Sequence, residues 1–187
     1  DFVITDTEEK QYMGSGDYPS DYFCYDKRVL APADGTIELV MDHIPDNVVG
    51  EVNLKDNWGN TVIIKHEDHL YSSMSHLKEG SIKVKEGDQV KEGDEIGRCG
   101  NSGRSPYPHL HFQVQETPYI GSITKEYPIS YHIQHAPEGF KLKSFAYPAK
   151  NDLVSNIERN DLLYKAFHFI PGKHYHFQVT KNGETLD

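Results

Sequence analysis

The sequence predicts an all-β fold, and three observations support this prediction. Short runs rich in β-branched and aromatic residues recur along the 187-residue chain, separated by glycine, proline and aspartate. Helical periodicity is nearly absent, since only residues 152–160 could form a short helix. A repeat of period six adds closely spaced turns. Together these features predict an all-β domain of short strands and tight turns.

Three segments have the composition of strands, namely residues 36–40, 60–65 and 141–145. Between the second and third, residues 84–96 contain the unit Val-Lys-Glu-Gly-Asp nearly twice. Each Glu-Gly-Asp can reverse the chain, because glycine adopts backbone conformations that other residues resist. The repeat therefore predicts two successive turns, each followed by an apolar residue that returns to the core.

The composition of the chain changes after residue 135, where turn residues become sparse. We place a domain boundary there, with one domain at residues 1–135 and an appended β-rich segment at 136–187. Residues 163–170 and 174–180 are the strand candidates of the appended segment.

Composition excludes several classes of function. The chain has 19 basic against 29 acidic residues, a net charge of −10, which disfavours binding to nucleic acid phosphates. No run approaches the roughly 20 apolar residues that a membrane helix needs, so no direct membrane insertion is expected of this segment. Two cysteines, Cys24 and Cys99, could form one disulfide or remain two buried thiols. The chain begins without methionine, and we expect it to be a segment of a longer protein.

Eleven histidines are present, and the sequence His-Leu-His-Phe-Gln-Val at residues 109–114 is the most informative. In a strand, His109 and His111 lie on one face, opposite the apolar residues between and after them. One imidazole could bind a metal while the other carries a proton, both could be ligands, or both could belong to a polar strand face. A near copy at residues 174–179 is interpreted as an outward-facing strand.

The run before the pair contains three glycines, an Asn-Ser dipeptide and two prolines, which predicts a fixed loop beside the histidines. With this loop, the chain resembles the lysostaphin/LytM family of zinc metallopeptidases. The resemblance covers residues 22–134 in the family's order. The motifs that carry it are Ala-Pro-Ala-Asp-Gly at 31–35, Gly-Asn-Thr-Val-Ile at 59–63, Ser-His-Leu at 75–77, Gly-Asn-Ser-Gly at 100–103 and Pro-His-Leu-His-Phe at 108–112.

The resemblance implies a compact antiparallel β-sandwich or barrel-sandwich hybrid of the LytM type, with one Zn²⁺. His111 matches a zinc ligand, and His76 and His109 match the two catalytic histidines. Asp26 matches the aspartate ligand of the family's first metal motif. No histidine precedes His43, so the remaining ligand position falls at Asp17 in the long-spaced form of that motif, or at Tyr22 in the short form.

The implied function is metal-dependent hydrolysis of peptide bonds in bacterial peptidoglycan, by a metal-activated water. The substrate is expected to be a peptidoglycan peptide, or another short peptide, lying in an open groove. The implied location is the bacterial cell envelope, outside the cytoplasm. The alternative is a catalytically silent domain of the same fold that binds a peptide or a partner protein, as the extracytoplasmic part of a larger membrane protein.

Overall fold

The computed structural model describes residues 1–157, 179–181 and 184–186. The chain divides into two compact units, Asp1–Tyr127 and Pro128–Asp187. The described residues form thirteen strands and one short 3-10 turn at Pro19–Asp21, which confirms the all-β prediction. Unit 1 holds β1 (Arg28–Leu30), β2 (Gly35–Met41), β3 (Asn60–Glu67), β4 (Leu70–Leu77), β5 (Gln89–Val90), β6 (Glu95–Arg98), β7 (His111–Gln115) and β8 (Thr124–Lys125).

A six-stranded antiparallel sheet in the order β5-β2-β3-β4-β7-β8 forms the centre of unit 1, and β1 pairs separately with β6. Strands β3 and β4 are buried along most of their length because they lie in the middle of this sheet. The predicted strands at 36–40 and 60–65 lie within β2 and β3. The adjacency of β4 and β7 brings the ends that carry the histidines side by side.

The period-six repeat forms two equivalent turns, as predicted. Gly87 and Gly93 both adopt φ of +89°, a left-handed conformation that favours glycine. In each turn the aspartate after the glycine accepts a hydrogen bond from a backbone N–H three residues earlier, at 3.0 and 2.8 Å. The apolar residues that follow, Val90 and Ile96, are buried in the core.

Both cysteine side chains lie in the core of unit 1 as free, buried thiols. The Cys24 thiol donates a hydrogen bond to the Pro108 carbonyl at 3.0 Å. Burial and the neighbouring Cys24 raise the pKa of the Cys99 thiol, so this thiol stays protonated. Of the two states that the sequence left open, the structure therefore contains the pair of buried thiols.

Unit 2 contains β9 (Ile129–Ala136), β10 (Gly139–Ala146) and β11 (Leu153–Ser155) in one antiparallel sheet, and a separate pair, β12 (Val179–Lys181) with β13 (Glu184–Leu186). The predicted strand at 141–145 lies within β10. The helix predicted at residues 152–160 is wrong for residues 152–157, the part that the structure describes, because residues 153–155 pair with β9 instead. A strand that can complete a ladder is favoured over a helix of such weak periodicity.

The predicted boundary near residue 136 coincides with the last residue of β9, whereas the two units divide between residues 127 and 128. The assignment of 136–187 as an appended segment remains a prediction. Residues 163–170 and 174–178 lie outside the described part of the chain, and residues 179 and 180 belong to β12. Among the described residues, no helix is long and apolar enough to cross a membrane.

Candidate functional site

At one end of the main sheet, His76 of β4 and His111 of β7 come together with His109, which lies two residues before β7. The ring centroids of His76 and His109 are 4.8 Å apart, and those of His76 and His111 are 5.9 Å apart. The pairing of β4 with β7, which places Ser75 opposite His111, brings these rings into contact. The structure thus brings together the three histidines that the sequence selected.

A β-bulge at the end of β4 directs His76 into this cluster. Asn60 pairs with Leu77 and Val62 pairs with Met74, so Ser75 and His76 together lie opposite the single residue between them on β3. His76 adopts φ of +62°, a left-handed conformation that is uncommon for a residue other than glycine. A bulge changes the direction in which a side chain points. Simple alternation along β4 would have placed His76 on the face opposite His111, because Ser75 is the residue paired with His111.

The loop of residues 100–108 is fixed against the sheet by buried contacts. The Ser102 hydroxyl donates to a backbone carbonyl of β4 at 2.7 Å and accepts the Asn60 N–H at 2.9 Å. Gly103 has φ of +80°, and a Cβ there would lie 2.4 Å from the Gly59 nitrogen, so only glycine allows this approach. The loop can therefore hold its carbonyl groups at defined positions.

Carbonyls of this loop set the orientation of two imidazoles. His76 donates from Nδ1 to the Ser102 carbonyl at 2.8 Å, and His109 donates from Nδ1 to the Tyr107 carbonyl at 2.9 Å. Since a carbonyl only accepts, the proton of each neutral ring is on Nδ1. The Nε2 atom of each ring keeps its lone pair and can accept a proton or a hydrogen bond.

His111 is oriented by a chain of glutamine side chains. Its Nε2 is 3.2 Å from Oε1 of Gln113, whose amide donates to Gln115 at 2.8 Å, and Gln115 in turn donates to the Thr117 carbonyl at 2.7 Å. The chain therefore leaves Nδ1 of His111 as the atom that faces the site. Period-two alternation places both glutamines on the histidine face, but the sequence does not indicate that they orient His111.

Burial keeps the three imidazoles neutral. It lowers the pKa of His109 and of His111, and burial together with the neighbouring His109 lowers the pKa of His76 to about 3. Neutral imidazole is the form that accepts protons, binds transition metals and hydrogen-bonds to peptide groups. The cluster can serve any of these three purposes.

The segment that would supply the remaining metal ligands makes other contacts. The two oxygens of the Asp26 carboxylate accept from Lys78 Nζ at 2.8 Å and Arg98 Nη1 at 3.3 Å. The hydrogen bond from Lys78 lowers the pKa of Asp26, and Asp17 is exposed. Among the described residues, no group of three or more histidine, cysteine, aspartate or glutamate side chains could hold a metal ion. The contacts therefore do not assemble Asp17, Asp26 and His111 into a zinc site.

Tyr22, at the short-form position of the missing histidine, belongs to a row of aromatic rings. It stacks on Tyr107, with ring centroids 6.3 Å apart and an interplanar angle of 5°, and contacts Tyr12 at 5.2 Å. Tyr107 in turn lies 5.9 Å from the ring of His109. A row of aromatic rings therefore continues from the histidine cluster to Tyr12.

Comparison with known proteins identifies the family. Residues 20–122 match peptidase family M23. The cell division protein DipM of Caulobacter vibrioides is 30% identical over 97 residues, which are 52% of this chain and 14% of DipM. The peptidoglycan DD-endopeptidase ShyA of Vibrio cholerae is 41% identical over 56 residues, 30% of this chain and 13% of ShyA.

A zinc-containing peptidase from Vibrio cholerae is similar in structure, with a TM-score of 0.41 and 23% identity, over 65% of this chain and 37% of that protein. The chain thus spans only a small part of the curated relatives that it matches. The M23 family hydrolyses peptidoglycan and depends on zinc. With more than half of its residues in the match, the chain belongs to peptidase family M23.

Proposed function

We propose that this M23 domain binds peptides of bacterial peptidoglycan at its histidine cluster and does not hydrolyse them by zinc chemistry. The observation that carries the proposal is the pairing of the Asp26 carboxylate with Lys78 and Arg98. A carboxylate whose two oxygens face two cations contributes little negative charge to a metal ion. Without it, and with Tyr22 at a ligand position, too few protein ligands remain to hold zinc tightly.

The histidine cluster supports binding in its own right. His76 and His109 present Nε2 lone pairs as acceptors for peptide N–H groups, and the loop carbonyls fix the direction of both rings. A pre-oriented acceptor loses little conformational entropy when a ligand binds, which favours affinity. The aromatic row from Tyr107 to Tyr12 extends the surface on which a peptide could lie.

A second candidate function is the metal-dependent endopeptidase activity of the family. It is favoured by the glutamine chain behind His111, because metal-ligating histidines are held in the same way by a hydrogen bond at the other ring nitrogen. This candidate requires Asp26 to leave Lys78 and Arg98.

The experiment measures zinc and peptide binding on the same preparation. Purified protein, incubated with equimolar zinc and desalted, should retain far less than one ion per chain by elemental analysis. It should still sediment with purified peptidoglycan sacculi and release no soluble peptide fragments from them. Near-stoichiometric zinc together with fragment release would overturn the proposal in favour of the second candidate.

A pair of histidine variants assigns the binding to the cluster. His109→Ala should weaken sedimentation with sacculi by about tenfold, because it removes one of the Nε2 acceptors proposed to bind peptide N–H groups. His43→Ala, an exposed histidine away from the cluster, is the matched control and should bind like the wild type. Equal binding by all three proteins would exclude the cluster as the binding site.

The proposal also places the domain at the bacterial cell envelope, outside the cytoplasm, where peptidoglycan is found.

A further inference from the structure

A cavity of about 800 Å³ lies beside the aromatic row in unit 1. Its volume falls within the roughly 300–1,000 Å³ that is typical of sites for small ligands. Among the described residues that line it there is no histidine of the cluster, so the proposed peptide site does not account for this cavity. The lining combines the three tyrosines of the row with polar residues, namely Asp6, Glu9, Lys10 and Gln11.

Backbone pairing holds two rings of the row side by side. Tyr12 and Tyr22 form an antiparallel bridge between residues 11–13 and 21–23, with backbone hydrogen bonds of 2.9 and 3.0 Å on either side. The two residues are therefore a non-hydrogen-bonded pair, the arrangement in which opposite side chains lie closest. Their ring centroids are 5.2 Å apart. The position of Tyr12 is thus set by the main chain.

The loop before the histidine pair holds the third ring. The Tyr107 carbonyl accepts hydrogen bonds from His109 Nδ1 and from the buried Ser105 hydroxyl, both at 2.9 Å. The ring planes of Tyr107 and Tyr22 differ by only 5°, so their faces point the same way. Tyr107 and Tyr12 are 43% and 41% exposed. The cavity therefore has a pre-formed aromatic wall with two rings open to solvent.

The charges that line the cavity disfavour anions. Lys10 pairs with the Glu8 carboxylate at 2.7 Å, which leaves Asp6 and Glu9 to give the lining a negative charge. A cation is bound best between ring faces that surround it, whereas near-parallel rings offer faces in one direction only. An apolar ligand would remove the polar lining from water without replacing its hydrogen bonds. The cavity therefore suits an uncharged ligand that carries hydroxyl or amide groups.

An N-acetylated sugar has this chemistry. One face of its ring carries mainly C–H groups, which pack against the electron-rich face of an aromatic side chain. Its hydroxyl and acetamido groups donate and accept hydrogen bonds. The tyrosine hydroxyls and the side chains of Asp6, Glu9 and Gln11 include partners of both kinds.

We propose that this cavity binds an uncharged, N-acetylated sugar residue of the glycan strand, stacked on the exposed rings of Tyr12 and Tyr107. This inference rests on the proposed function and names a second part of the same ligand, since the peptides of peptidoglycan are attached to its sugars. The centroid distances along the row place Tyr12 within about five extended residues of His109, at about 3.4 Å per residue. A peptide at the histidine cluster and its sugar at the cavity can therefore be bound together.

The test titrates the full chain with chitotetraose, a soluble tetramer of N-acetylglucosamine without peptide, by isothermal titration calorimetry. Tyr12→Ala should weaken binding about tenfold, because the ring on which the sugar stacks is lost. Tyr12→Phe keeps the ring and should bind within about threefold of the wild type, since only one hydroxyl is removed. Tyr119→Ala, at a tyrosine outside the row that is 69% exposed, is the control and should bind like the wild type. Circular dichroism checks that all the variants are folded.

A cationic probe tests the selectivity of the cavity. Lysine with an acetylated amino end and an amidated carboxyl end carries one positive charge, and it should bind at least about tenfold more weakly than chitotetraose. Tighter binding of this probe than of chitotetraose would overturn the inference. So would the absence of chitotetraose binding, unchanged binding by Tyr12→Ala, or an equal loss in Tyr12→Ala and Tyr12→Phe.

Sedimentation of the same proteins with sacculi separates this inference from the proposed function. Binding of chitotetraose that Tyr12→Ala weakens, without sedimentation with sacculi, supports the sugar site and contradicts peptidoglycan as the ligand. Sedimentation with sacculi without binding of chitotetraose supports the proposed function and overturns the sugar site.

Discussion

The histidine cluster and the segment Tyr22–Asp26 carry the zinc-ligand positions predicted from the family resemblance, and the two regions differ in this chain. The cluster keeps three imidazoles in ring contact, each with a hydrogen bond that fixes its orientation. The other segment has an aromatic stack at Tyr22 and an ion-paired carboxylate at Asp26. The two regions therefore differ in what orients their side chains, which is buried hydrogen bonding for the imidazoles and ring stacking with ion pairing for Tyr22 and Asp26.

The reason lies in what fixes each half. Buried polar contacts between the loop at 100–108 and the ends of β3 and β4 hold the histidines. The segment Tyr22–Asp26 is tied to its surroundings by ring stacking and by two partly exposed cations. Substitutions in the first region should therefore affect stability more than substitutions in the second.

Asn60→Ala should have the largest effect, because Asn60 supports the histidine half and is fully buried. Its side chain accepts from Ile44 N–H at 2.8 Å and donates to the carbonyls of Ile44 and Leu77 at 2.7 and 3.0 Å. Alanine leaves these buried groups without partners, so the free energy of unfolding should fall by about 3 kcal/mol in urea titrations. Asn57→Ala, at an exposed site, should change it by less than about 0.5 kcal/mol. A comparable loss at both sites would contradict this ranking.

The pH dependence of stability should be of comparable total size across the interval between the folded and unfolded pKa values of His76. In the folded chain the pKa of His76 is about 3, against an ordinary value of about 6.5 in the unfolded chain. Between these values only the unfolded state binds the proton, so stability should fall as pH decreases below about 6.5, by at most about 1.4 kcal/mol per pH unit. His76→Gln should make this slope shallower, whereas the exposed His43→Gln should not. An unchanged slope in the His76 variant would show that this ring is not buried as described.

In the segment Tyr22–Asp26, Tyr22→Ala should have an intermediate effect on the free energy of unfolding. It removes ring contacts with Tyr12 and Tyr107, each worth about 1 kcal/mol, so the free energy of unfolding should fall by about 2 kcal/mol. Tyr119→Ala, at a tyrosine that is 69% exposed, is the control and should have little effect. Tyr22→His should leave zinc content unchanged, because Asp26 is still held by its two cations. A large gain of zinc from this single change would mean that the ion pairs yield readily to a metal.

Asp26→Asn should have the smallest effect, below about 1 kcal/mol, since its ion pairs are partly exposed to solvent. Asparagine tolerates the left-handed conformation at this position, where φ is +61°, so the backbone should be retained. The lowered pKa of Asp26 means that its contribution is present above about pH 4 and is lost as pH falls through the folded-state pKa. The wild type and the variant should therefore converge in acid, as measured by urea unfolding. A difference that persists or grows there would require another origin.

Much of the fold could be predicted from the sequence because its signals are local. Turn chemistry at 84–96 and composition at 36–40 and 60–65 identified structure correctly, since each depends on neighbours in the chain. Residues 152–157 were misassigned because a weak helical pattern there competes with pairing to a strand nearly twenty residues earlier. Such a partner is not visible in the segment itself.

The sequence by itself predicted that His109 and His111 project to the same side, because side chains two residues apart do so along extended backbone, and both rings lie close to His76. It also determined that a fixed loop precedes them. Only the tertiary structure decided that a bulge would turn His76 towards them. It also decided that Lys78 and Arg98 would form ion pairs with the Asp26 carboxylate, and that Asp1 would lie beside the two rings. These contacts join residues up to 110 positions apart, so they depend on sheet register and loop closure, which no local pattern encodes.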